Sequence, residues 1–254
     1  MAIKVVKNLV SPRKYYIKCP YVMKPTRIVV HNTYNNASAR NEINYMINNN
    51  GECSFHFAVD DKEVVQGIPL NRNAWHAGDG FGKGNMEGIG IEICYSLTGG
   101  QRFIKAEKLA AKFIAQLLKE RGWGIGRVTK HQDYMDKYCP HRTLDMGWER
   151  FLKMVKKELA ALNKPSISSL KEKTKKRFGF TDGTIAYLSS HSNPRSLFTK
   201  LVTEGKDKVY TEIKDLKKMK KNTKVRFGFT DNTINFLAKH TNPTALFKKL
   251  STKK

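Results

Sequence analysis

The chain has 254 residues and a formal net charge of +25, from 47 basic and 22 acidic side chains. This length suits two domains better than one. The charge favours polyanionic partners, which leaves nucleic acid, anionic membranes and anionic wall polymers open. No apolar run approaches the roughly 18 residues that span a bilayer, so we expect no transmembrane segment. Residues 1–10 lack the apolar segment of a secretory signal, so we expect synthesis in the cytosol without a signal peptide.

Strand-like and helix-like stretches alternate along residues 1–162. The β-branched or apolar runs that predict strands are 27–31, 54–61, 63–68, 89–95 and 127–129. The amphipathic stretches that predict helices are 37–50, 105–121 and 147–162. Ser38 is the expected N-cap of the first helix, and the Gly-rich stretch 74–90 is expected to be a loop. The alternation predicts an α/β domain over 1–162, with a mixed central β-sheet flanked by helices.

A polar linker at 163–169 separates this domain from a duplicated segment. The motif Arg177-Phe-Gly-Phe-Thr-Asp recurs 49 residues later, and 16 of 25 positions match between 177–201 and 226–250. Each copy has a basic helix, a Thr-Asp helix start and an Asn-Pro helix start. We therefore predict a small all-α module over 170–254, built from two three-helix repeats at about 170–206 and 211–252.

The segment from His131 to Arg142 is the strongest chemical signal. His131 and Cys139 are both ordinary zinc ligands, and Lys137 adds a cation beside them. A catalytic zinc ion takes three protein ligands and leaves one position to water. The third candidate ligand is His31, at the end of the predicted strand 27–31. The other three cysteines, Cys19, Cys53 and Cys94, are expected to be free, buried and small hydrophobic residues.

Glu92 is a second signal, because it interrupts the apolar strand 89–95. A carboxylate inside a central strand must be hydrogen-bonded, be paired with a cation, or hold a water bound to a metal ion. The sequence leaves these alternatives open.

Several motifs in this order resemble the type-2 N-acetylmuramoyl-L-alanine amidases, over roughly residues 20–160. The motifs are Ile28–Thr33, Phe55–Asp61, Trp75–Gly78, Gly88–Glu92 and the His131/Cys139 pair. The resemblance implies a zinc hydrolase that cuts the amide between N-acetylmuramic acid and L-alanine of the peptidoglycan stem peptide. The alternative is a non-enzymatic basic protein that binds nucleic acid or a wall polymer around a structural metal site.

Residue roles follow from the same resemblance. It implies that His31, His131 and Cys139 bind Zn²⁺, and that Glu92 and Lys137 are catalytic. Many relatives have a catalytic tyrosine where this chain has Phe55, so we expect Glu92 to take over that work.

Weaker expectations concern the surroundings of the site. His76, Trp75 and Asn32 are candidate substrate contacts, and His56 is expected to be structural. For the duplicated module we predict binding to the cell wall, with nucleic acid as the rival ligand. The whole is interpreted as a phage or prophage endolysin that is made in the host cytoplasm and acts at the bacterial wall after release.

Overall fold

The computed structural model describes residues 2–205, 209–210 and 214–253. The chain divides into two compact units, Met1–Lys164 and Pro165–Lys254, and each has its own hydrophobic core. Within these described ranges, no helix combines the length and the apolar character that crossing a membrane requires.

A six-stranded mixed sheet forms the centre of the first unit, in the order β1-β4-β3-β5-β2-β6. The strands are β1 Val5–Lys7, β2 Arg27–Asn32, β3 Phe57–Val59, β4 Val64–Gln66, β5 Gly88–Ile93 and β6 Val128–Lys130. The hairpin pair β3 and β4 is antiparallel, and the other neighbours are parallel. The central strands β2 and β5 are buried along most of their length, as expected of parallel strands inside an α/β sheet.

Helices pack around this sheet, so the predicted α/β fold is confirmed. They are α1 Tyr15–Lys18, α2 Ala39–Asn48, α3 Lys83–Glu87, α4 Gly100–Arg121, α5 His141–Asp145 and α6 Trp148–Asn163. The Ser38 hydroxyl caps α2 by accepting a hydrogen bond from the Asn41 amide, as predicted. Helix α4 ends at Gly122, whose φ of 65° is a left-handed conformation that glycine adopts without strain.

Two predictions of local structure were wrong. Residues 74–90 are not a loop throughout, because the Asp79 carboxylate accepts hydrogen bonds from the Gly84 and Asn85 amides and starts α3 there. The linker is shorter than the predicted 163–169, because α6 continues through Asn163 and Ser166 caps a helix that begins at Ile167. Strand β1 and helix α1 lie where no element was predicted.

The second unit has three helices in each repeat, as its capping residues predicted. They are α7 Ile167–Phe178, α8 Asp182–Ser189, α9 Pro194–Thr203, α10 Leu216–Phe227, α11 Asp231–Ala238 and α12 Pro243–Thr252. The side chains of Thr181 and Thr230 cap the second helices, and those of Asn193 and Asn242 cap the third. Of the predicted repeat boundaries, residues 206 and 211 lie outside the described residues.

The two repeats share one core instead of forming two separate ones. The rings of Phe178 and Phe227 meet edge to face at 6.0 Å, and Tyr187 stacks on Phe236 of the other repeat at 4.8 Å. Lys200 also donates a hydrogen bond to the Gly228 carbonyl of the second repeat, at 2.6 Å. Each repeat therefore completes the burial of the other.

We expect a single repeat, residues 165–210, to remain unfolded, whereas residues 165–254 should unfold in one cooperative step. The reason is that one repeat alone would expose the phenylalanine core that its partner covers. Chemical denaturation followed by helical circular dichroism tests both segments. Phe227→Ala in the longer segment should lower its free energy of unfolding by about 3–5 kcal/mol. A cooperatively folded single repeat would contradict the shared core.

Candidate metal centre and active-site cleft

Three neighbouring strands converge on one edge of the sheet, where ligand sites of α/β proteins form. Strands β2 and β5 pair in register, so that His31 lies opposite Glu92. His131 follows the last residue of β6, which pairs with β2 on its other side. Cys139 precedes α5, and the Asn32 side chain holds that helix by accepting a hydrogen bond from the Thr143 amide at 3.1 Å.

His31, His131 and Cys139 form a compact buried cluster. Their side chains are 1%, 4% and 5% exposed, and one potential ligand atom from each lies within 4.8 Å of the others. The Nδ1 atoms of the two histidines are 3.0 Å apart, and the Cys139 sulfur lies 3.9 Å from Nδ1 of His31. Two imidazoles and a thiol at this spacing can hold a metal ion.

The electrostatics of the cluster agree with metal binding. Burial, reinforced by His76, His131 and Lys137, holds the pKa of His31 well below its usual value, so this imidazole is neutral and can act as a ligand. Burial raises the pKa of the Cys139 thiol to about 12. A metal ion that binds here must therefore displace the thiol proton, and its charge compensates the buried thiolate.

His76 fixes the orientation of the His31 ring through a chain of hydrogen bonds. Nε2 of His76 lies 3.2 Å from the Gly88 carbonyl, and its Nδ1 lies 3.0 Å from Nε2 of His31. Because a carbonyl only accepts, His76 carries its proton on Nε2, and His31 must donate from its own Nε2. The free lone pair of His31 is then on Nδ1, the atom that faces His131 and Cys139. His76 thus acts as a supporting group behind a ligand.

Gly90 makes room for this arrangement. A Cβ atom at Gly90 would lie 2.6 Å from the His76 ring, closer than real contacts allow. The neighbouring His56 accepts a hydrogen bond from the Gly90 amide at 3.0 Å and bonds the Arg72 carbonyl through its other nitrogen. His56 and His76 are therefore both hydrogen-bonded to the backbone of β5, and His56 has the structural position expected of it.

Glu92 faces a cavity of about 330 Å³ beside the cluster. Burial, reinforced by the nearby Glu42, raises the pKa of Glu92 to about 8, while Lys137 acts in the opposite direction. The buried Oε2 atom of Glu92 finds no hydrogen-bond partner among the residues that the structure describes. This oxygen therefore keeps a capacity to accept a hydrogen bond that the described residues do not use. The exposed Lys137 lines the same cavity.

The structure does not bring every predicted contact into the cleft. His76 and Asn32 line the cavity, but both are tied into hydrogen bonds with the protein. Trp75 is absent from the lining. Its Nε1 donates to the Ile17 carbonyl at 3.1 Å, and its ring contacts the aromatic side chains of Tyr21 and Phe81.

Some lining residues escaped the sequence reasoning. Cys53 was expected to be buried, but it is exposed and lines the cleft beside Glu92. Tyr34 is 68% exposed, lines the cavity in contact with the His141 ring, and has a φ of 56° that is uncommon for a non-glycine residue. Its only sequence signal was its place directly after the motif 28–33.

We expect His76→Ala to lower the affinity for a divalent metal ion about 10–100-fold, because His31 would lose the group that fixes its tautomer and orientation. Competition with a chromophoric chelator measures this without any activity assay. His141→Ala is the matched control, since His141 lines the same cavity but its hydrogen bond goes to the Ser96 carbonyl. Equal affinities for the wild type and His76→Ala would contradict the supporting role.

Known proteins match the segment of the chain that holds this site. The model of the N-acetylmuramoyl-L-alanine amidase family matches residues 21–142. N-acetylmuramoyl-L-alanine amidase CwlA from Bacillus subtilis (strain 168) is 57% identical over 200 residues, which cover 78% of this chain and 72% of the relative. The solved structure of PlyL is 55% identical with a TM-score of 0.59, covering 60% of this chain and 97% of that one. Endolysin LysK of Staphylococcus phage K is 31% identical over 154 residues, 56% of this chain and 30% of that protein.

All five residues predicted for metal binding and catalysis lie inside the matched segment. The likeness to CwlA extends well beyond that segment, over most of both chains. The chain therefore belongs to the N-acetylmuramoyl-L-alanine amidase family, and it is an enzyme of that family and not a non-enzymatic basic binding protein.

Proposed function

We propose that the first unit hydrolyses the amide between N-acetylmuramic acid and L-alanine of the peptidoglycan stem peptide. The observation that carries the proposal is the buried cluster of His31, His131 and Cys139 beside the unpartnered oxygen of Glu92 in one open cavity. Such a site offers three metal ligands, a proton carrier and room for the bond to be cut.

Zn²⁺ is the metal ion that we assign to the cluster. Two imidazole nitrogens and one thiolate suit its preference for nitrogen and sulfur ligands, and three protein ligands are typical of catalytic zinc sites. When bound, the ion would supply a Lewis acid that polarises the amide carbonyl and makes a coordinated water more acidic.

Glu92 is the group that moves the proton. Its carboxylate would take a proton from the attacking water and deliver it to the nitrogen of L-alanine as the amide breaks. A general base works best when its pKa lies near the working pH, and burial has raised that of Glu92 to about 8. A bound cation would lower this value again. Phe55 has no hydroxyl, so the tyrosine of many relatives has no equivalent here.

Lys137 would stabilise the negative charge that develops on the carbonyl oxygen. Its ammonium lines the cavity and is close enough to lower the pKa of both His31 and Glu92. A cation held where charge develops contributes to the rate more than one that contacts only the ground state.

We expect Glu92→Gln to reduce turnover about 10²–10⁴-fold while metal content stays unchanged, because the amide cannot carry the proton. Amine release from a soluble muropeptide and metal analysis of the same sample provide the measurements. Glu120→Gln, an exposed change of the same charge on α4, serves as the control. Full turnover in Glu92→Gln would remove this residue from the mechanism.

For the second unit we propose a role in targeting the enzyme to the wall. Residues 163–254 hold 22 basic and only 7 acidic side chains, which suits anionic wall polymers. Phe178, Phe180, Phe227 and Phe229 are at most 5% exposed, so recognition falls to polar and charged groups and not to these rings. Two repeats on one chain would also raise the effective concentration of a weak contact.

If this charge drives attachment, lysis of intact cells should fall steeply as salt rises, while cleavage of a soluble muropeptide falls little. Screening of surface charge within about 10 Å at 0.1 M salt is the physical reason. Residues 1–164 alone should lose most of the salt dependence. Pull-down of residues 165–254 with purified walls and with DNA, at matched salt, separates the two ligands; retention by DNA alone would reject wall targeting.

We further propose that the whole protein is an endolysin of a phage or prophage, made in the host cytoplasm and acting at the wall after release. The similarity to Endolysin LysK supports this.

A further inference from the structure

A second cavity, of about 190 Å³, adjoins the active-site cleft. The two share Thr33, Cys53 and Glu92 in their walls. The other wall of the second cavity is Phe55 and one side of helix α2, with the residues Glu42, Tyr45, Met46 and Asn49. The cavity therefore begins at the proposed proton carrier and extends away from the metal ligands towards α2.

Three of the residues that line this cavity each have one oxygen atom without a hydrogen-bond partner among the described residues. These oxygens are Oγ1 of Thr33, Oε1 of Glu42 and Oε2 of Glu92, and all three are buried. Burying a polar atom without a partner costs free energy, so such atoms usually mark a place where water or a ligand binds. All three can accept hydrogen bonds, and two belong to carboxylates. The site is thus complementary to a positively charged group that donates hydrogen bonds.

The position of Glu42 supports a ligand role. A carboxylate in the first turn of a helix stabilises the helix N-terminus, and Glu42 is in that turn of α2. A solvent-exposed carboxylate would stabilise the helix N-terminus equally well, so this role does not explain why an oxygen of Glu42 is buried. Burial raises the pKa of Glu42, against a smaller opposing effect of a hydrogen bond with Asn35. Burying the Glu42 carboxylate near a second carboxylate, Glu92, is therefore unfavourable unless a ligand compensates it.

The proposed reaction generates a matching group at this place. The carbon–nitrogen bond of the amide breaks, the carbonyl carbon takes the oxygen of water, and the nitrogen of L-alanine takes a proton through Glu92. The resulting carboxylic acid then gives a proton to the amine, so that the products are a carboxylate and an ammonium. The ammonium has three N–H donors and arises within reach of Glu92.

We propose that this second cavity binds the α-ammonium of the released stem peptide, with Thr33, Glu42 and Glu92 each accepting one N–H. This inference rests on the amidase function proposed above and adds a product site to it. The neutral amide of the substrate offers one N–H and no charge, so the cavity favours the cleaved peptide. The bound product would then compete with the next substrate molecule for the active site.

The test compares two inhibitors in steady-state hydrolysis of a soluble muropeptide. One is the stem peptide with its free L-alanine amine, and the other is the same peptide with propionyl in place of L-alanyl, which lacks the amine. For the wild type, the peptide with the amine should bind about tenfold tighter or more, because hydrogen bonds to charged groups are the strong ones. Calorimetry with each peptide gives the same ratio without turnover.

Glu42→Gln should bring this ratio close to one, because it removes the charge and keeps the shape of the side chain. Thr33→Val should reduce it by a smaller factor through loss of one acceptor. Glu52→Gln, an exposed residue with the same change of charge, should keep the wild-type ratio. The ratio compares two ligands on one protein sample, so a general loss of stability does not alter it.

Equal binding of the two peptides to the wild type would overturn the product site, and so would an unchanged ratio in Glu42→Gln. A failure of the amidase proposal looks different. In that case no variant, nor the wild type, would release amine groups from the muropeptide, whatever the two peptides do in calorimetry.

Discussion

The parallel pairing of β2 with β5 is the constraint on which the site depends. Its register sets His31 opposite Glu92, so a candidate metal ligand and the proposed proton carrier come from adjacent strands at the same height. Side chains alternate between the faces of a sheet, and a slip of one residue would move Glu92 to the opposite face from His31. Short apolar strands, buried on both faces, are what fix this register.

The second requirement is a chain of hydrogen bonds among the buried polar groups behind His31. The Gly88 carbonyl, His76 and His31 form one chain of hydrogen bonds that ends on a free lone pair. Each group determines which nitrogen of the next one carries the proton. The lone pair that remains, on Nδ1 of His31, can bind a metal ion. Glu92, Glu42 and Thr33 differ from this chain, because each has a buried oxygen without a hydrogen-bond partner among the described residues; Nε2 of His131 is also without one. The hydrogen-bonded histidines form the part of the cleft that orients a candidate metal ligand. The oxygen acceptors without partners form the part that we propose binds the product.

Sequence reasoning succeeded where the determinants are local. The capping residues Thr181, Asn193, Thr230 and Asn242 start their helices as predicted, because a cap needs only its own next turn. His31, His131 and Cys139 could be named together because ordered motifs carry them, although no contact between them is visible in the sequence.

What could not be predicted depends on packing between distant segments. Glu42 resembles any helix-start glutamate until α2 packs on β3 and β4 and brings it to the cavity that Glu92 also lines. Cys53 resembles a core residue until its loop lines the cleft. Trp75 neighbours His76 in sequence, but Trp75 bonds the Ile17 carbonyl whereas His76 bonds His31. Strand β1 is defined by its parallel pairing with β4, a contact between distant segments that no local pattern shows.

The basic residues of the second unit divide into two groups with different physical roles. Three pairs of basic residues that are present in both repeats have structural partners: Lys175 and Lys224 pair with aspartates, Arg177 and Arg226 bond helix carbonyls, and Lys200 and Lys249 bond the glycine that ends the opposite first helix. The exposed lysines Lys173, Lys176, Lys217, Lys218 and Lys221 have no lysine at the equivalent position of the other repeat. These six retained cations therefore contribute to the fold of both repeats. The positive surface beyond them is free to change without loss of structure, and it is this part of the charge that an anionic wall polymer would meet.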